Sequence, residues 1–164
     1  MNAKIPFDMN RHIPFKTKVG YSLGGTGDAI AYDFIGSFLM FFLTDLAGIS
    51  PAIAGSIIGV AVLWDAITDP IIGILSDRCK SKYGKKRPFI LFSAIPLAVV
   101  MIMLFHVVGF EGNAKVAYYV IFAMLFWTAY TVFNIPYFAL GGCLTVNTDE
   151  RTRIRSIAQV FNFI

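Results

Sequence analysis

Apolar and polar positions fall along this chain in long blocks, at neither the period of a half-buried strand nor that of a one-faced surface helix. Apolar runs occupy 19–44, 51–76, 88–110 and 116–140, and a fifth begins near Ile154 and is cut at Ile164. Each of the first four reaches the roughly 20 residues that a helix needs to cross a bilayer. The connections TDLAGIS and EGNAK are short, so consecutive spans are expected as antiparallel neighbours. Helix punctuation agrees. Ser50-Pro51 reads as an N-cap followed by proline at the first helical position, Asn113 suits the start of the fourth span, and Thr148, Asp149 and Glu150 suit the start of the fifth. The pairs Gly20/Gly24 and Gly55/Gly59 are spaced for close helix packing in lipid. The expected fold is all-α. It is a polytopic transmembrane helical bundle in which a polar segment, 1–18, precedes a partial bundle, 19–164.

Composition supports the membrane reading: 57% of residues are apolar and mean hydropathy is +0.68, against about 45–50% apolar in soluble domains. Charge then orients the spans. Of the fourteen Lys and Arg, all but Lys115 lie in the N-terminal segment, in the 77–87 loop or in the segment before the fifth run. The positive-inside rule places those three segments, and with them the N-terminus, in the cytoplasm of a cell (plasma or inner) membrane. The pI near 9.1 is thus a topology signal, and nucleic acid is not an expected partner. The first 18 residues carry Pro6 and Pro14 and no short apolar core, so no signal peptide is expected. Cys79 and Cys143 fall on the cytoplasmic side, where a disulfide is not expected, and neither has metal-ligand spacing to His12 or His106. The glycines of GYSLGGTGD follow no strand and precede no Lys-Ser/Thr, which excludes a phosphate loop. No nucleophile–base pair or metal-ligand set appears, and neither an enzyme nor a cofactor is expected.

The chemistry rests on four acids inside the spans: Asp28 and Asp33 in the first, Asp65 and Asp69 in the second. A carboxylate at mid-bilayer costs about 3 kcal/mol on insertion scales, and the spans hold no Lys or Arg to offset it. Asp65 and Asp69 are four residues apart, on one face of a helix. Without a fixed counter-ion, such a pair must share a proton or capture a mobile cation, and hard alkali cations favour oxygen ligands. Thr68 adds a hydroxyl or carbonyl beside them, and Pro70 frees the carbonyl of Ala66. The bland reading is a protonated pair that only holds helices together, a role for which one polar group suffices.

On the fourth span Thr131, Asn134 and Phe138 share a face. Thr131 is within range of the cation site, while Asn134 and an aromatic platform suit a sugar hydroxyl and a pyranose face; interhelical glue is the competing role. Asp28 and Asp33, five residues apart, do not share a face, and one of them is expected to contact substrate. Trp64 and Trp127 read as packing or interfacial residues, with stacking platforms as the alternative. In GILSDRCKSKYGKKRP, a bare topology determinant needs only the basic residues. Asp77, Arg78, Gly84, Lys85 and Arg87 together predict a gating latch between adjacent helices.

These motifs resemble a known family. G-x-L-S-D-R-x(5)-G-K-K-R-P is similar to the loop between spans two and three of the major facilitator superfamily. LFFLTDLAGIS, LWDAITDPIIGILSDR, KKRPFIL, YTVFNIPYFAL and TDERTRIRS resemble, in order and spacing, the glycoside–pentoside–hexuronide:cation symporters. The resemblance runs from about Lys18 to the end. It implies a twelve-helix transporter of two halves working by alternating access. It also implies a cation site at Asp65, Thr68, Asp69 and Thr131, with asparagine usual where Thr68 stands. Sugar-binding aspartates are implied on spans one and four, but the gap-free match on span one is Ala29, beside Asp28, and the span-four position is Asn134. Phe138 stands where tryptophan is usual. These departures argue against melibiose and leave room for another glycoside, pentoside or uronide.

The expected function is therefore part of a secondary transporter coupling sugar uptake to Na⁺ or H⁺, truncated to four spans and the start of a fifth. Its expected partners are the sugar, the bilayer and the remaining transporter half, and alone it is expected not to transport. The alternative is a small self-associating membrane protein, channel-like or a scaffold, without sugar coupling. A third reading is a relative that moves lipid-like amphiphiles on the same fold.

Overall fold

The computed structural model describes residues 15–79, 86–109, 111–144 and Ser156, with side chains except at 15–18, 87 and 141–144. Thr148, Asp149 and Glu150 lie outside the described residues, as do Gly84 and Lys85. The described part is all-helical: α1 (Phe15–Phe41) runs into a π-helical turn (Phe42–Leu46), followed by α2 (Pro51–Arg78), α3 (Arg87–Leu104) and α4 (Gly112–Leu144). Among the described residues, three segments, Val19–Leu46, Pro51–Arg78 and Gly112–Leu140, are long and apolar enough to cross a membrane. The chain divides into two compact units, one of 1–30 with 138–164 and one of 31–137.

Within the 31–137 unit three helices contribute stripes to one core, and α3 adds Leu104. From the first helix come Ala31, Ile35, Leu39, Phe42 and Leu43; from α2, Ala54, Ile57 and Ala61; from α4, Tyr119, Ala123, Phe126 and Tyr130. These positions recur at three and four residues, the spacing that keeps one helix face against its neighbours. Small residues buried between the helices include Ala54, Ala61 and Ala123 and the serines Ser76 and Ser93. A side chain added at Gly20, Gly55 or Gly59 meets nothing, so among the described residues these three glycines mark no close helix approach.

The first connection is closed by backbone geometry. The Ala47 amide donates to the Phe42 carbonyl at 2.8 Å, and the Ile49 amide to the Leu43 carbonyl at 2.9 Å. Gly48 makes this reversal at φ +66°, a left-handed conformation that costs glycine nothing. Ser50 then precedes Pro51 as an extended N-cap, though its hydroxyl makes no capping bond.

The third helix is shorter than the apolar run 88–110. It closes at Leu104, and 105–109 form a turn. The reason lies in its terminal carbonyls. The Phe105 amide donates to Met101 and the His106 amide to Met103, while the hydroxyls of Tyr118 and Tyr119 donate to the Met103 and His106 carbonyls at 2.8 and 3.0 Å. Those bonds satisfy groups that a continuing helix would otherwise use. The fourth helix begins at Gly112, at φ +58°, one residue before the expected Asn113. Pro70, Pro96 and Pro136 lie inside α2, α3 and α4, and each helix continues through them, as spanning helices often do.

Candidate functional site

The buried stripe of α2 extends from Ala54, Ile57 and Ala61 through position 65 to Thr68 and Ser76. The helical period thus places Asp65 on the face that the apolar residues define. Asp69 stands one turn further on. Both carboxylates are half-buried, and both line a cavity of about 210 Å³ shared with Tyr32, Trp127, Tyr130, Thr131 and Asn134. The whole cavity lies within the 31–137 unit.

Thr131, fully buried on α4, donates its hydroxyl hydrogen to Asp65 Oδ1 at 2.6 Å, the short range of a hydrogen bond to a charged acceptor. This contact joins two helices at the point where charge is concentrated. Because a hydroxyl that donates keeps its lone pairs, Thr131 remains able to offer oxygen to a cation. One turn along α4, the Asn134 amide donates to the Tyr130 hydroxyl at 3.0 Å, so a polar pair stands beside the carboxylates. Tyr32, Trp127 and Tyr130 complete the lining as an aromatic corner. The Tyr32 ring meets Trp127 edge-on and Tyr130 at a tilt, each with centroids 6.0 Å apart.

The other expected site residues are placed differently. Thr68 is buried, and its hydroxyl donates to the Asp65 backbone carbonyl at 3.1 Å; it does not line the cavity. Asp33 is exposed and outside the lining. Asp28 is 7% exposed and belongs to the other unit. Phe138, also in that unit, is 58% exposed. The aromatic surface within the 31–137 cavity comes from Tyr32, Trp127 and Tyr130, which the sequence reading had not singled out as site residues. A signal for two of them existed, because Trp127 and Asn134 stand one turn either side of Thr131 and Tyr130 stands one turn before Asn134. Among the described residues, no group of three His, Cys, Asp or Glu could hold a metal.

In the last turn of α2, Asp77 pairs with Lys86 at 2.9 Å. Lys86 had not been named for the latch; it bridges the two ends of the connection from α2 to α3. Arg78 is exposed and Cys79 is a free, half-buried thiol. The side chain of Arg87 lies outside the described set.

Comparison with known proteins places these features in a family. The profile described as MFS/sugar transport protein matches residues 20–164. The inner membrane symporter YicJ of Escherichia coli is 39% identical over 141 residues, covering 86% of this chain and 31% of the relative. The putative glycoside/cation symporter YagG of the same organism is 35% identical over 144 residues, covering 88% and 31%. The sodium-dependent lysophosphatidylcholine symporter 1-A of Danio rerio is 36% identical over 161 residues, covering 96% and 30%. The chain thus spans about a third of the length of each of these relatives. With its all-helical architecture and this match over most of its residues, the chain belongs to the MFS/sugar transport protein family, a family of multi-pass membrane symporters rather than enzymes.

Proposed function

We propose that the chain is the N-terminal portion of a secondary transporter that couples uptake of a sugar (a glycoside, pentoside or uronide) to Na⁺ or H⁺. The observation that carries this reading is the Thr131–Asp65 hydrogen bond, which sets a hydroxyl and the Asp65 and Asp69 carboxylates around one cavity together with Asn134. A cation there neutralises the carboxylates and removes their mutual repulsion, so α2 and α4 close around it. Sugar hydroxyls then bond to Asn134, beside the aromatic corner of the same cavity. By linkage each ligand raises the affinity of the other by the same factor. Thr68 contributes through the backbone that it braces. The N-terminus lies in the cytoplasm, and the 77–87 turn, with its Asp77–Lys86 pair, acts as a latch on that side, where Arg78, Gly84, Lys85 and Arg87 join it. Segments 19–44, 51–76, 88–110 and 116–140 cross the membrane, the third completed by its turn, and a fifth span starts at 154. The remaining transporter half supplies the other wall of the pathway.

The test is uptake of labelled glycosides, pentosides and uronides by membrane vesicles holding the complete protein, under imposed Na⁺ or H⁺ gradients. Accumulation of a sugar that follows one gradient supports the reading. Uptake indifferent to both gradients overturns it. An amphiphilic substrate is the second reading. It rests on the similarity to the lysophosphatidylcholine symporter, and saturable binding of a lysolipid with no binding of sugars would favour it.

A further inference from the structure

Asp65 has a neighbour whose bond to α4 differs in kind from its own. The Trp64 indole donates to the Thr128 hydroxyl oxygen at 2.9 Å, and that hydroxyl donates in turn to the Met124 carbonyl at 2.8 Å. Thr128 and Thr131 are three residues apart, on neighbouring sides of α4 and about 4.5 Å apart along its axis. Trp64 and Asp65 are adjacent on α2. The two helices are therefore tied twice at one level, and one to two turns further a side chain added at Gly73 would meet Ile135 at 3.9 Å, so the seam continues there.

The two ties respond differently to charge. Asp65 accepts from Thr131 through a carboxylate oxygen, so a proton or cation arriving at the carboxylate changes the strength and geometry of that bond. The chain from Trp64 through Thr128 to Met124 has one direction only, because an indole N–H only donates and a backbone carbonyl only accepts. Nothing that happens at the carboxylates reverses it. We propose that Trp64 is a positioning residue for the cation site: through Thr128 it holds α2 and α4 in register while the Asp65–Thr131 bond is exchanged for bonds to the ion. This inference rests on the cation-coupled reading above and adds to it a residue that touches neither ion nor sugar. A preorganised site binds its ion more tightly than one that must be assembled, so loosening the tie lowers cation affinity and leaves the carboxylates themselves intact.

The experiment uses the complete transporter in detergent, with NaCl, LiCl or protons as the only ligand and choline chloride holding ionic strength constant. An ion that binds the folded state raises the melting temperature logarithmically once its concentration exceeds the dissociation constant, and fitting that dependence gives the apparent dissociation constant, the cation midpoint. Trp64→Phe keeps the ring and loses the N–H. Its midpoint is expected to rise about threefold to tenfold, the range of a single interhelical hydrogen bond in a membrane protein. Thr128→Val is expected to give the same rise, Thr128→Ser to restore the wild-type midpoint, and the Trp64→Phe/Thr128→Val double variant to go no further than either single change. Should Trp64→Phe fail to accumulate, the Thr128 pair decides. Midpoints within twofold of wild type overturn the proposal, as does a lowered ion-free melting temperature with an unchanged midpoint, which marks a merely structural bond. A wild-type protein with no midpoint for any of the three ions overturns the cation-coupled reading itself.

Discussion

The 31–137 unit contains two regions built by opposite means. Around the turn that ends α3, the rings of Phe34, Phe42, Phe105, Tyr118 and Tyr119 interlock at centroid distances of 5.0–5.9 Å. The polar groups there are backbone carbonyls, taken by the hydroxyls of Tyr118 and Tyr119 and by the ammonium of Lys115, which donates to Ala47 at 3.1 Å. Around Asp65 and Asp69 the lining is largely polar, and the acceptors are carboxylates. A carbonyl keeps its charge distribution through any transport cycle, whereas a carboxylate gains and loses a whole charge when a proton or cation arrives. The first region is suited to stay as it is. The second is suited to change, as the proposed coupling requires.

The largest expected effect separates the two regions by removing charge from one. Asp65→Asn or Asp69→Asn in the complete transporter should lower cation-driven accumulation by at least about a hundredfold, the scale of losing one member of a buried charged set. Membrane insertion and melting temperature should stay close to wild type. Normal Na⁺- or H⁺-dependent uptake by either variant would sink the assignment. Phe42→Ala does the reverse. It removes a ring packed on both Phe105 and Tyr119 and should destabilise the fold by about 3 kcal/mol, with the cation midpoint of the surviving protein unchanged. If the midpoint moves with stability, the two regions are not independent.

Smaller changes sharpen the contrast. Thr131→Val keeps the shape of the side chain and deletes the hydroxyl that reaches Asp65, so the cation midpoint should rise about tenfold, equivalent to about 1.4 kcal/mol. Thr131→Ser should restore most of it, and equal midpoints for Val and Ser would exclude a ligand role for the oxygen. Lys115→Met is the matched test at the aromatic end. A cation over the last carbonyls of a helix contributes about 0.3–1 kcal/mol, so a loss of stability of that order, read as a small fall in melting temperature, is expected with no change in midpoint. It also explains why one lysine departs from the positive-inside pattern: Lys115 is placed by a helix terminus, as a cap.

How much of this was legible in the sequence follows from what each feature depends on. Ser50-Pro51 marked the start of α2 because proline restricts φ whatever its surroundings. The four-residue step from Asp65 to Asp69 put two carboxylates on one face by helix geometry alone, and the match of Thr131 to the same cavity came with the family resemblance. The end of α3 could not be read, because hydropathy continues past Leu104 while the bonds that stop the helix come from Tyr118 and Tyr119, on the next helix. For the same reason the aromatic corner was missed. Tyr32 and Trp127 are separated by most of the unit, and only packing shows that their rings meet. Gly55 and Gly59 had the right spacing for close approach, but spacing does not reveal which face a neighbour occupies, and the tight positions are Ala54 and Ala61.

The smallest expected effect concerns the connection from α2 to α3. Lys86 is well covered, its side chain 13% exposed, while the carboxylate it meets on Asp77 is 69% exposed. An ion pair with one partner in water contributes between zero and about 1 kcal/mol, and salt near 0.15 M screens it over about 8 Å. Lys86→Gln should therefore shift the melting temperature by no more than a degree or two and leave the cation midpoint alone. A latch differs from a stability element in what it gates. If Asp77 and Lys86 hold one conformation of the cycle, Lys86→Gln should alter the rate of uptake at saturating ligand by about twofold to fivefold, within the same 1 kcal/mol, and the difference should shrink as salt rises. Asp77→Asn should do the same, and the double variant should match either single change. An uptake rate unchanged at low salt would leave the pair as a surface charge pair alone and confine the proposed moving parts of this unit to the α2–α4 seam.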